Sequence, residues 1–173
     1  IQRFRGARLR FTLDAELTQQ LRTLSQQHGA TLAMTMLSAF KVLLARYSGQ
    51  HDLVVGMPIA NRNHAGIEQL IGFFLNTLLL RSDLSDNPSF SELLARVRHT
   101  TVEAYSHQDL PFIKLAEALH PQRTLSYNPL FQVLFLYQGE GSDEITLPGL
   151  RVKPLDNGLV PLKDDLLLEL EER

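Results

Sequence analysis

The run Phe73 to Leu80 is apolar at both odd and even positions, broken only by Asn76 and Thr77. A strand of that kind folds only if both of its faces are covered, so the chain must supply layers to cover it. The flanking segments offer them. Leu53 to Ile59 is a second short apolar run, with Pro58 marking its end as an edge or exit, and Asn61 to Gly66 reads as the loop between the two.

The rest of the chain alternates helical and strand periods. Arg8 to Leu13 places Leu9, Phe11 and Leu13 at period two, which predicts a half-buried strand whose wet face carries neighbouring arginines from the set Arg3, Arg5, Arg8 and Arg10. Asp14 offers an N-cap to a helix with Leu17, Leu21 and Leu24 on one side, ending near His28-Gly29. Thr31 caps the next helix, which ends at Gly49. Met36, Leu37, Phe40, Leu43, Leu44 and Tyr47 with only Lys41 and Arg46 charged predict that it is deeply buried.

Ser89-Phe90-Ser91-Glu92 is a capping box opening a helix to about Tyr105, with Phe90, Leu93, Leu94, Val97, Thr101 and Ala104 inward. The connector His107 to Pro111 leads into a shorter helix, with Phe112, Leu115, Ala116 and Leu119 inward, stopped by Pro121. After a turn at Ser126 to Pro129, the segments Phe131–Tyr137, Ile145–Val152 and Leu162–Leu170 read as strands. The order β-α-α-β-β-α-α-β-β-β predicts an α+β fold of two-layer sandwich type, a mixed β-sheet with helices packed on it.

Composition narrows the function classes. The 173 residues suit one domain or half of a larger one. A net charge of -2, from 17 Lys and Arg against 19 Asp and Glu, leaves no basic footprint for nucleic acid or an anionic membrane. The absence of Cys removes thiolate catalysis, thiolate metal sites and disulfides, and the expected location is cytoplasmic. Leu70 to Leu80 is far shorter than the roughly 20 residues of a membrane-spanning helix. The start at Ile1 and the bare end at Arg173 read as an excised piece of a longer polypeptide.

No autonomous active site is visible. The six histidines (28, 51, 64, 99, 107, 120) are the natural general bases, yet none stands in a His-His-x-x-x-Asp-Gly or His-x-x-x-His frame. A Gly-x-Ser-x-Gly elbow and an Asp-x-Asp metal loop are also missing, so no catalytic residue and no metal ligand is assigned. Three places stand out instead. Asn76-Thr77 sits inside the apolar strand and either lines a cavity or is locked to neighbouring backbone. His107-Gln108-Asp109 crowds hydrogen-bonding side chains into the interhelical connector, where Asp109 is the expected cap of the next helix. Arg62 and Arg81, at strand ends, either bind an anion or pair with backbone carbonyls or carboxylates.

Taken together, four segments resemble the C-terminal half of the condensation domain of nonribosomal peptide synthetases, in the chloramphenicol-acetyltransferase-like superfamily. Ile71-Gly72-Phe73-Phe74-Leu75-Asn76-Thr77 closing on Arg81 is similar to Ile-Gly-x-Phe-Val-Asn-Thr-x-x-x-Arg. His107-Gln108-Asp109-Leu110-Pro111-Phe112 is similar to His-Gln-Asp-x-Pro-Phe-Glu, with Ile113 in the Glu position. Arg123 to Leu130 resembles Arg-Asp-x-Ser-Arg-Asn-Pro-Leu, departing at Thr124 and Tyr127. Gly56-Met57-Pro58-Ile59-Ala60-Asn61-Arg62 fits Gly-x-Pro-x-Ala-x-Arg.

The resemblance implies that the whole chain, 1–173, is one lobe of a two-lobed enzyme, and that the base-bearing His-His-x-x-x-Asp-Gly belongs to the other lobe. This lobe would supply a tunnel wall with Asn76, Thr77 and Ser126, and a floor and a latch. Gly72, Phe74, Arg62, Arg81, His107, Gln108, Asp109, Pro111, Phe112, Asn128 and Pro129 would be structural motif residues. The implied substrates are thioesters on the phosphopantetheine arms of carrier proteins, with no cofactor bound directly. The implied partners are the N-terminal lobe and the carrier and adenylation domains. Alone, the lobe is expected to be inactive and to self-associate through its uncovered face. Two other readings compete: a docking lobe without catalysis, and a lobe of an acyltransferase acting on coenzyme A thioesters.

Overall fold

The computed structural model describes residues 6–62, 65–67, 69–119, 128, 130–139, 149–150 and 164–172. In chain order the elements are α1 (Ala15–Gln27), α2 (Leu32–Ser48), β1 (Asp52–Ile59), a 3₁₀ turn (Ala65–Ile67), β2 (Asn76–Asp83), α3 (Phe90–Ser106), α4 (Phe112–Leu119), β3 (Val133–Gln138) and β4 (Leu166–Glu171). The strands form a mixed sheet in the order β2-β1-β3-β4. β1 runs antiparallel to β2 and parallel to β3, which runs parallel to β4. The α+β, two-layer expectation is met.

Capping explains the helix starts. Asp14 Oδ1 accepts from Leu17 N at 2.7 Å, Thr31 Oγ1 from Met34 N at 3.2 Å, and Ser89 and Glu92 close the reciprocal box of α3. Gly49 ends α2 with φ 70°, a left-handed conformation that glycine adopts without a Cβ clash.

Register fixes the core. Val55 stands opposite Leu80, both fully buried, and Leu53, Met57, Ile59 and Leu78 share their face. Leu37 and Phe40 of α2, Leu93 and Val97 of α3, and Phe135 of β3 complete the cluster, with the Phe40 and Phe135 rings 6.3 Å apart. Burying each such side chain is worth about 1.5–3 kcal/mol. On the opposite face Gly56 lies under Leu134 and Phe131. A Cβ there would come within 2.8 Å of Leu134 Cδ2 and 2.9 Å of the Phe131 ring, so any larger residue forces those side chains to move.

Several expectations are corrected. Residues 6–14 lie outside any helix or strand, with Leu9 and Phe11 exposed, because alternation becomes a strand only where a sheet edge pairs with it. The second apolar strand begins at Asn76 rather than Phe73. Asn76 pairs with Ile59, the last residue of β1, and Asn61 then turns away at φ 50°, leaving Phe73 and Leu75 with nothing to pair against. Both-face coverage of β2 is met only in part: Leu78 and Leu80 are buried on one face, while Thr77 and Leu79 on the other are half-buried and Arg81 is exposed.

α2 is buried along one side only. Leu43 and Tyr47 are exposed, while Thr35, Ser38, Lys41 and Ala45 are inside, since a helix in a two-layer fold keeps a solvent side. Leu119 of α4 is likewise exposed. The expected closing strands are found as Val133–Gln138 and Leu166–Glu171, and Ile145–Val152 falls largely outside the described residues. Among the described residues no single helix is long and apolar enough to cross a membrane.

Candidate functional site

The motif segments meet where β1 ends and β2 begins. The carboxyl end of a parallel strand in an open sheet is where such folds gather their functional loops. Asn76, the first residue of β2, is half-buried. Its Nδ2 donates to the carbonyl oxygens of Gln108 and Leu110, both at 2.8 Å, and its Oδ1 accepts from Phe112 N at 2.9 Å. One amide side chain thus holds three backbone groups of the connector between α3 and α4, more than 30 residues away. Of the two readings left open for Asn76, locking to backbone describes this geometry.

The same bonds correct the expected cap. The first backbone N–H of α4 is satisfied by Asn76 rather than by Asp109. The Pro111 carbonyl accepts from Lys114 N at 2.9 Å and Leu115 N at 3.3 Å, completing the first turn. Phe112 then packs edge-on against Phe131, with ring centroids 5.7 Å apart, which joins the connector to the chain leading into β3.

His107 ends α3 through its backbone, its N–H donating to the Ala104 carbonyl at 3.2 Å. Its side chain is exposed and makes no hydrogen bond among the described residues. The connector is therefore tied down by Asn76 and not by the imidazole. Gln108 is half-buried and contributes its carbonyl, while Asp109, Leu110 and Pro111 are exposed. Next door, Tyr105 is half-exposed and burial of its hydroxyl raises its pKa.

Arg62 organises the loop between β1 and β2. Its Nη1 donates to the carbonyls of Ile67 at 2.6 Å and Leu70 at 2.9 Å, and its guanidinium lies 4.4 Å over the Phe74 ring. Gly72 sits against that ring, 3.0 Å from Phe74 Cε2 to the place of a Cβ. Arg62 holds the loop so that Leu70, Ile71, Phe73 and Leu75 face outward. Thr77, half-buried, lies opposite Pro58.

Arg81 stands apart and makes a bidentate pair with Asp52, at 2.9 and 2.8 Å, which lowers the Asp52 pKa. Asn128 Oδ1 accepts from Leu130 N at 3.0 Å and its carbonyl from Gln132 Nε2 at 3.0 Å, forming the turn before β3. Ser126 and Pro129 lie outside the described residues. Among the described residues no three His, Cys, Asp or Glu side chains converge to hold a metal ion.

Two features leave little trace in the sequence. Lys41 is fully buried, donating to the Leu80 carbonyl at 2.9 Å and Ser82 Oγ at 2.7 Å. Thr35, Ser38 and Ala45, which share its side of α2, are polar or small, so the helical pattern does not mark that side as inward. The cation–aromatic pair of Arg62 and Phe74 crosses a loop and leaves no periodic signal.

A family model described as Condensation domain matches residues 1–151. A linear gramicidin synthase of Brevibacillus parabrevis is 53% identical over 175 residues, covering 100% of this chain and 3% of that protein. Malpinin synthetase of Mortierella alpina is 51% identical over 171 residues, covering 99% of this chain and 2% of that protein. The chain therefore spans only a few hundredths of the length of these relatives. Among solved structures, the X-domain from teicoplanin biosynthesis superposes with a TM-score of 0.85 at 34% identity, covering 93% of this chain and 36% of that one. A four-domain nonribosomal peptide synthetase bound to AMP and glycine superposes with a TM-score of 0.78 at 27% identity, covering 82% of this chain and 11% of that one.

Proposed function

The chain belongs to the condensation-domain family, and on that footing we propose that residues 1–173 are the C-terminal lobe of a domain that forms peptide bonds in nonribosomal peptide synthesis. The reaction joins an amine to a thioester carbonyl and releases the thiol. The phosphopantetheine arms of two carrier proteins supply the thioesters. This lobe contributes the wall of the tunnel in which they meet, with the segment around Asn76 and Thr77 and with Ser126, while the base comes from the other lobe. A wall of this kind orients the reactants and excludes water, effects that reach several kcal/mol of a barrier.

The observation that carries the reading is the junction at Asn76, where two segments matching the family pattern are joined by three hydrogen bonds at one end of the sheet. The partners follow from the same reading: the His-bearing N-terminal lobe, and the carrier and adenylation domains of the synthetase. The outward set Leu70, Ile71, Phe73 and Leu75 supports a covering partner, since a run of apolar side chains left in water marks an interaction surface.

The test is single-turnover condensation with two loaded carrier proteins. The 173-residue chain alone is expected to give no product above background, and the chain joined to a lobe carrying His-His-x-x-x-Asp-Gly is expected to give product. Product from the chain alone, or none from the joined lobes, overturns the proposal.

A further inference from the structure

The hydrogen-bonding capacity of Asn76 limits what it can do. A side-chain amide has two N–H donors and a carbonyl oxygen with two acceptor lone pairs, and only the donors could stabilise a developing oxyanion. Both donors are engaged, on the Gln108 and Leu110 carbonyls, and Oδ1 already accepts from Phe112 N. A thioester carbonyl that gathers negative charge during acyl transfer is stabilised by donors. Asn76 has no donor left to offer one. What it does hold is the connector: the end of α3, the start of α4 and, through the edge-on Phe112–Phe131 contact, the chain entering β3.

We infer that Asn76 is a positioning residue, which fixes the His107–Phe112 connector against the start of β2 and acts on condensation through that connector rather than by touching the substrate. The inference rests on the reading of the chain as a condensation-domain lobe and adds to it a division of labour inside the wall. The segment around Asn76 sets the backbone path, and the outward side chains of Leu70 to Leu75 meet whatever occupies the tunnel or covers the lobe.

The experiment uses the two-lobed domain carrying this chain, with Asn76→Ala, Asn76→Asp, Leu110→Gly and the double variant Asn76→Ala/Leu110→Gly. Asn76→Asp keeps the acceptor for Phe112 N but sets a carboxylate against two carbonyls. Hydrogen exchange is read along the chain, and kcat and KM are read per folded molecule with both carrier-bound substrates. The expected result has two parts. Exchange across residues 108–113 quickens by about tenfold or more in both Asn76 variants while the Val55–Leu80 ladder stays protected. The fall in kcat in Asn76→Ala is not deepened by Leu110→Gly, because both loosen one element, and KM moves little.

Additive losses in the double variant mean that Asn76 meets the substrate directly, and overturn the inference. So does unchanged exchange in the connector, or turnover per folded molecule equal to wild type despite faster exchange. An inactive wild-type domain with a connector that loosens on substitution instead overturns the functional reading, so the two failures are told apart. Should Asn76→Ala not fold, Asn76→Asp carries the same comparison.

Discussion

Lys41 Nζ donates to Ser82 Oγ at 2.7 Å inside the layer between α2 and β2, and Lys41 is fully buried there. Its second acceptor is the Leu80 carbonyl, and among the described residues it has no carboxylate partner. Burial of an ammonium without a counter-charge favours the neutral amine, and Lys41 is lowered from 10.5 to about 7. Below pH 7 both folded and unfolded chains carry the proton, and the folded state bears the full desolvation penalty. Between pH 7 and 10.5 the unfolded chain holds a proton that the folded chain has released, so stability rises with pH, by up to about 1.4 kcal/mol per unit. Urea melts at pH 7, 8 and 9 are expected to show that rise in wild type and a much flatter profile in Lys41→Met. Equal slopes in the two proteins would refute it.

Gly56 leads to a second prediction. A methyl group there would stand 2.8 Å from Leu134 Cδ2 and 2.9 Å from the Phe131 ring. Phe131 is buried and Leu134 half-buried, so the ring is the neighbour that resists, and overpacking in Gly56→Ala is expected to cost about 1–3 kcal/mol. Phe131→Leu makes room and should recover part of the loss, so the double variant will be more stable than the sum of the single changes allows. Strict additivity in denaturant melts would show that the ring is not what excludes the methyl.

The box at the start of α3 gives a third. Ser89 Oγ accepts from Glu92 N at 3.3 Å while Glu92 Oε2 accepts from Ser89 N at 2.8 Å. The Ser89 hydroxyl, which also donates to Glu92 Oε2 at 2.8 Å, and after it the Ser89 N–H hold the Glu92 carboxyl below its usual range. A depressed carboxylate contributes stability above its unfolded pKa and loses it as pH falls through the folded value. Ser89→Ala is expected to lower stability by about 1 kcal/mol at neutral pH. The difference between the two proteins should shrink in acid, where Glu92 is protonated, and a gap constant down to pH 3 would count against the coupling.

How much of this is legible in the sequence follows the range of the interactions. The helix starts are, because Asp14, Thr31 and Ser89 act within one turn of themselves. The strand over Leu53–Ile59 and the inward side of α3 are legible too, each set by a local period. The start of β2 is not, because pairing stops where Ile59 meets Asn76 and no local pattern reports that. Arg8 to Leu13 carries a strand period but lies outside the sheet, since a period shows what a segment can pair as and not whether an edge awaits it. Lys41 reads in sequence as one of two charges on an otherwise apolar helix, with nothing local to say that it turns inward onto the Leu80 carbonyl and Ser82. The motifs at Asn76 and His107–Phe112 are each visible in sequence. That one holds the other is not, because the bonds span more than 30 residues and two elements.

The last prediction concerns His107, the histidine that its motif makes conspicuous. Its backbone closes α3 and its imidazole is exposed without a partner among the described residues, so neither packing nor a hydrogen bond depends on the ring. A general base must lie within hydrogen-bond reach of the proton it takes and is usually oriented by a third group. Nothing among the described residues orients this ring. His107→Asn retains a polar side chain of similar reach but cannot titrate near neutrality. In the two-lobed domain it is expected to leave the melting temperature unchanged, keep turnover within about twofold of wild type and preserve the pH–rate profile, as an exposed substitution should. Loss of turnover in a folded variant, together with loss of a titration from the pH–rate profile, would give this lobe a base of its own and reverse the assignment of that role to the other lobe.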